Sequence, residues 1–213
     1  MDTKFHIRIW LALFLFSLFL NPFLRRGESM EKFVVAEIRT TQAAFGPGIG
    51  AWIVRQADVL FRDTPVHYAA QVARAGSVSD DERRRHEKVL GSGAKVMIGV
   101  ANSIFTGFLQ SIYVVCLRFM MVFVWFGMLS PVLIAAVVDG FGQRAIKRYT
   151  FGAMRPAAFS LLSMIVVPFV MAPLFYLSAP WSIDPSIVPI WVFLGCIPLS
   201  MLIANTQPIF GKY

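Results

Sequence analysis

Apolar residues in this chain gather into long runs. The first is Ile7 to Leu24. The second, about Val96 to Val138, is broken only by Arg118. The third covers about Ala157 to Leu177, with Pro168 and Pro173 inside it, and the fourth about Ile187 to Ile203, with Pro189 and Pro198. A helix needs roughly 20 apolar residues to cross a bilayer, so the pattern predicts an all-α, polytopic membrane protein with four transmembrane helices. The half of the second run before Arg118 is the weaker one, with Asn102, Ser103, Thr106, Gln110 and Ser111. The half after it, Phe119 to Val138, is apolar for 20 residues. No Gly, Pro or Asn turn signal sits near Arg118, so a tight hairpin there is disfavoured. The expectation is an unbroken helix from about Lys95 to Val137, bent near Pro131, with the span at 118–138 and Arg118 near the outer interface.

Composition agrees with the runs. Of 213 residues, 57% are hydrophobic, against about 45–50% in soluble domains, and the mean hydropathy is +0.64. The formal net charge of +8 would suggest nucleic acid in a soluble protein. Here most cations flank apolar runs or sit in a charge-mixed segment, which points to membrane anchoring and to topology. Cys116 and Cys196 lie inside apolar runs and read as small buried hydrophobes.

Insertion retains Lys and Arg of short loops in the cytoplasm. The segment from Val138 to Pro156, between the second and third spans, carries Arg144, Lys147, Arg148 and Arg155 against one acid, Asp139. It belongs inside. The segment 178–186 has no cation but has Trp181, with Tyr176 and Trp191 nearby, and belongs outside. Lys4 precedes the first run, Arg8 stands at its start, and no small-residue cleavage site follows it. Both termini are therefore expected in the cytoplasm. The division is 1–24 membrane anchor, 25–95 helical cap in the periplasm of a Gram-negative cell, 96–138 long helix with the second span, 139–156 cytoplasmic basic loop, 157–204 third and fourth spans, and 205–213 cytoplasmic tail.

Within the cap, Glu31 to Phe45 and Ile49 to Phe61 place apolar residues at helical spacing, with the glycine-rich Phe45 to Gly50 as a turn between two helices. Ser79, with Glu82 three residues on, is a candidate N-cap. The glycine-rich turn lacks the Lys-Ser/Thr of a phosphate-binding loop. His6, His67 and His86 have no metal-ligand spacing, and no acidic or basic residue falls mid-membrane in the third or fourth span. A catalytic role, a cofactor or a transport pathway has no residues to support it, and none of the three is expected. Direct nucleic-acid contact is not expected either, because the basic loop is short.

The candidate site is the inner end of the second span: Asp139, Gly140, Arg144, Lys147 and Arg148. If the helix continues past Gly140, Arg144, Lys147 and Arg148 share one face near the headgroups. That face either anchors the loop to anionic lipid or docks a partner. Asp139 would cap the next helix, pair with Arg144, or meet a partner's cation.

The same residues carry a resemblance. Val138-Asp139-Gly140, Arg144, Lys147-Arg148, Phe151-Gly152 and Pro156, with Arg118-Phe119-Met120 and Ile183-Asp184-Pro185, resemble the domain-of-unknown-function 4400 family. These are membrane proteins of integrating conjugative elements and conjugative plasmids, and some are of the TraJ type encoded beside the coupling ATPase. The resemblance implies a bacterial inner-membrane component of a conjugative, type IV secretion-like system that recruits or anchors that ATPase. Membrane lipids and further copies of the chain are the other expected partners. The rival readings are a structural or exclusion protein working through its periplasmic cap, and a small membrane enzyme or transporter.

Overall fold

A computed structural model describes residues 3–25, 28–75, 80–149 and 156–206. They form α1 (Thr3–Leu24), α2 (Glu28–Arg62), α3 (Pro65–Ala75), α4 (Asp80–Tyr149), α5 (Pro156–Ser178) and α6 (Ile187–Ala204), with no strand among the described residues. Four stretches are long and apolar enough to cross a membrane: Ile7–Leu24, Ser103–Tyr149, Phe159–Ser178 and Ile187–Ala204. Their large side chains face outward in numbers that water would not tolerate. Phe16, Phe123, Leu161, Ile134 and Ile197 are all exposed. In a bilayer such a surface is the lipid face, and the helix satisfies its own backbone.

α4 is unbroken over 70 residues, about 105 Å at 1.5 Å per residue, and runs through Arg118 without a reversal. It is longer than expected at both ends. Residues 80–95 belong to it, and so do residues 139–149, which were read as loop. The candidate N-cap Ser79 and the loop residues 150–155 lie outside the described residues.

The chain divides into two compact units. The first comprises residues 1–10, 122–175 and 184–213. Its best-ordered packing is that of α6, whose buried residues recur every fourth position: Val188, Val192, Cys196, Ser200 and Ala204. Small residues let helices approach closely where apolar surface alone gives no drive to associate. Gly195 lies against Phe169 of α5, and Trp191 meets Phe126 of α4 edge-to-face at 6.2 Å. Between these helices lies an apolar cavity of about 180 Å³ bounded by Phe126, Leu133, Val166, Phe169 and Leu199.

The second unit comprises residues 11–121 and 176–183. Here α2 is two helical arms, residues 28–45 and 47–62, interrupted at Gly46 (φ 75°, ψ 172°). Glycine takes this backbone region at no steric cost, and Pro47 opens the second arm, where its missing N–H would have been an orphan. The arms fold back on each other, since a Cβ on Gly50 would lie 2.8 Å from Gln42 Cα. The turn expected between Phe45 and Gly50 is therefore present. The first arm runs beside α4 in the same direction. Met30 and Phe33 pack with Val114, Glu37 binds Arg118, and the Thr41 hydroxyl donates to Met121 Sδ at 3.2 Å. α1 joins through Phe19, stacked on Phe108 at 5.5 Å, and through Ser17, whose hydroxyl donates to the Ser178 carbonyl at 2.8 Å.

Candidate functional site

The last turns of α4 carry all five residues expected to form a site, and helical geometry puts Arg144, Lys147 and Arg148 on one face. The structure assigns them different tasks. Asp139 Oδ2 accepts hydrogen bonds from Ser200 Oγ at 2.5 Å and from Gln143 Nε2 at 2.8 Å. It makes no ion pair with Arg144. Gly140 is buried, and a Cβ there would lie 2.8 Å from both the Ser200 carbonyl and Ile203 Cβ. Only glycine lets α6 come this close.

Lys147 Nζ donates to Asn205 Oδ1 at 2.9 Å and reaches the Ala204 carbonyl at 3.5 Å. A helix end leaves its last four carbonyls without intrahelical partners, and α6 has all four satisfied. Asn205 Nδ2 donates to Met201 O, Asn205 N to Leu202 O, the Thr206 hydroxyl to Ile203 O, and Lys147 to Ala204 O. The ammonium also faces the negative end of the α6 dipole. Asp139, Gly140 and Lys147 are thus spent on seating α6 against α4.

Two cations remain. Arg148 is exposed. Arg144 is half-buried, and its Nε is buried with no hydrogen-bond partner. Neither makes an ion pair among the described residues. Five guanidinium donors per arginine and no acceptor make such a pair suited to carboxylate or phosphate.

In the other unit, Arg118 of α4 is the largest fully buried side chain among the described residues. Nε and one terminal nitrogen bind the two oxygens of Glu37, each at 3.0 Å. The remaining donors reach the carbonyls of Tyr176 (2.9 Å), Ala179 (2.8 Å) and Trp181 (2.7 Å). Five donors meet five acceptors. The aromatic rings of Phe33 and Tyr176 lie 5.6 and 5.4 Å from the guanidinium carbon. Arg25 sits over the same Phe33 ring, 4.1 Å from its centroid. Burial holds the Arg25 guanidinium below its usual pKa; the Glu37 carboxylate opposes this, and the charge of Arg118 adds to it. The Tyr176 carbonyl belongs to the last turn of α5, so Arg118 also caps that helix.

The sequence marked Arg118 but missed its partners. Glu37 lies on the stripe Phe33, Glu37, Thr41, one helical turn apart and buried throughout. A charge on an otherwise apolar stripe was the available signal. Ser200 was the corresponding polar residue within the fourth span.

Downstream of Trp181, the exposed Asp184 carboxylate accepts the Ser186 N–H at 2.8 Å. That backbone bond first, and the Ser186 hydroxyl second, hold it below the ordinary carboxylate range. Among the described residues no group of His, Cys, Asp or Glu could hold a metal ion. His67 instead bonds Gln71 at 3.0 Å and packs edge-on against Phe61.

A family model described as IncC plasmid conjugative DNA transfer protein DtrJ-like matches residues 38–211. It covers both polar centres except Glu37, one residue before it begins. The match supports the conjugative character expected from residues 138–156, under this family and not under the domain-of-unknown-function 4400 name. No curated protein and no solved structure matches the chain.

Proposed function

Because this chain belongs to the DtrJ-like family of IncC plasmid conjugative DNA transfer proteins, we propose that it is an inner-membrane component of the conjugation apparatus. In this reading it docks the coupling ATPase through the cytoplasmic end of α4. The role is assembly and not catalysis. The observation that carries the reading is the division of labour at that end. Asp139, Gly140 and Lys147 hold α6, which leaves Arg144 and Arg148 without an ion pair among the described residues. Both cations lie on the short basic segment that the charge rule holds in the cytoplasm, on the side where an ATPase works.

Two outcomes separate docking from anchoring. As lipid anchors, the two arginines would each contribute only about 1 kcal/mol toward an anionic surface. As half of a desolvated, hydrogen-bonded charge pair, each would be worth roughly 2–5 kcal/mol. The paired change Arg144→Ala and Arg148→Ala should therefore abolish co-purification with the coupling ATPase. Conjugative transfer should fall by an order of magnitude or more, while the protein accumulates normally in the membrane. Unchanged transfer at equal abundance would overturn the docking reading.

One observation favours a second reading, in which the outer segment 25–95 is the working surface. Between α2, α3 and α4 lies an open pocket of about 410 Å³, lined in part by Asp58, Phe61, His67, Gln110 and Tyr113. In that reading the arginine pair would be silent, and His67→Ala with Gln110→Ala would depress transfer.

A further inference from the structure

The α2 hairpin was expected to be part of a water-exposed cap, yet its tip has the chemistry of a membrane surface. Between Arg39 and Arg55 the chain runs fifteen residues, Thr40 to Val54, without a charge. One face of this run is used internally: Thr41, Gly50 and Ile53 are buried. The other face is apolar and open, with Ile49 48% and Trp52 42% exposed. Nothing lies within 4 Å of a Cβ placed on Gly48.

The contacts with α4 set the depth of this tip. Phe33 packs with Val114, Glu37 with Arg118, and Thr41 with Met121, so the first arm advances along α4 in register. Met121 already lies within the apolar run that begins at Phe119. Four further helical residues to Phe45 carry the tip about 6 Å beyond Thr41 in the same direction. The arms are antiparallel, and Val34 and Ile38 line the same pocket as Asp58 and Phe61. Arg39 and Arg55, both exposed, therefore lie at nearly one height, close to the level of Arg118. Long cationic side chains at that height can keep their heads among phosphates while the stems follow apolar surface. Trp52 supplies the amphipathic ring favoured at the interface.

From this we infer that residues 40–54 form a re-entrant hairpin whose tip is inserted in the lipid of one leaflet. The occupant of the Ile49–Trp52 face is lipid acyl chain, and Arg39 and Arg55 mark the headgroup level. The insertion is shallow, about 5–10 Å, as for interfacial helices. The break at Gly46 agrees with this depth, because irregular backbone is not stable in lipid-exposed hydrocarbon. Pro47 carries no N–H to leave unsatisfied there. The Glu37–Arg118 pair then acts as the depth stop that fixes the hairpin against α4. The hairpin stands on α2 and α4 alone and is independent of any partner at Arg144 and Arg148.

The test uses the full chain with Cys116→Ala and Cys196→Ala, reconstituted in liposomes and spin-labelled at one introduced cysteine at a time. Ile49→Cys and Trp52→Cys report the tip, Lys32→Cys the aqueous arm and Ile134→Cys a lipid-facing position of α4. The expected result is that labels at 49 and 52 collide with oxygen and are shielded from a water-soluble nickel chelate, as at 134, while the label at 32 shows the reverse. Nickel access at 49 and 52 equal to that at 32 would place the tip in water and overturn the proposal. Exclusion of both reagents would mean a protein covers the face and would overturn it equally. Brominated lipid offers a second readout without labels. It should quench the wild-type protein more than the Trp52→Phe variant, and equal fractional quenching would count against insertion.

Discussion

Arg118 uses every N–H it has, and this sets what a substitution there must cost. Arg118→Ala leaves the Glu37 carboxyl buried without its partner and removes a donor from each of the Tyr176, Ala179 and Trp181 carbonyls. Removing one partner of a buried pair commonly costs about 3–5 kcal/mol. Thermal unfolding in detergent should show a loss of that size, with a parallel fall in the amount of inserted protein. Arg118→Lys should recover little, because three donors on a point charge cannot reproduce a five-donor fork. The double change Arg118→Met with Glu37→Met removes both charges and should recover part of the loss. It cannot recover all of it, since the hydrogen bonds to the Tyr176, Ala179 and Trp181 carbonyls are lost as well. A double variant no better than Arg118→Ala would mean that the carbonyls, and not Glu37, set the cost. In the sequence both charges were visible as exceptions, one in an apolar run and one on an apolar stripe. Their 81-residue separation is closed by tertiary packing, which no local pattern encodes.

At the scale of the elements, the helix–helix seat of α6 depends on one missing side chain. A Cβ on Gly140 meets backbone and a β-branched residue, neither of which can swing aside. Gly140→Ala should therefore part α4 from α6 and destabilise the first unit by about 1–3 kcal/mol. It should weaken the Asp139–Ser200 bond in step. Gly127→Ala and Gly142→Ala meet nothing within 4 Å and replace the poorer helix former, so they should be neutral or stabilising by up to about 1 kcal/mol. Unfolding of the three variants in the same detergent makes the comparison, and a neutral Gly140→Ala would dissolve the seat. The absence of a break at Arg118 was legible, because turns need residues that are not there. The end of α4 was less so. Gly140 and Gly142 look like the start of a loop, whereas α4 continues to Tyr149 and Gly140 is there to admit another helix. That requirement belongs to α6, some sixty residues away.

For the whole molecule, the four apolar helices were readable because bilayer thickness imposes a length on the sequence itself. The site was readable only as a location. The pattern brought Asp139, Gly140, Arg144, Lys147 and Arg148 to one end of α4, but could not divide those that hold α6 from those left open. The orientation proposed for the whole rests on cation placement. Arg144, Lys147 and Arg148 lie beyond the second span, while the segment between α5 and α6 has no cation. Short loops obey this asymmetry, and segments longer than about 60 residues obey it poorly, so the proposed topology rests on 139–156 and 178–186, and 25–95 would follow. Alkaline phosphatase fused after Ala75 or Ser182 should be active, and fused after Gln143 or Tyr213 inactive. The use of Lys147 as a cap on α6 sharpens the experiment, because a fusion after Gln143 removes both that cap and the third and fourth spans. A sandwich fusion within 150–155, which keeps α5 and α6, should be inactive as well. Activity in the sandwich fusion would invert the chain. Arg144 and Arg148 would then face the periplasm, out of reach of any ATPase, and the hairpin of α2 would enter the cytoplasmic leaflet, with Arg39 and Arg55 among its anionic headgroups.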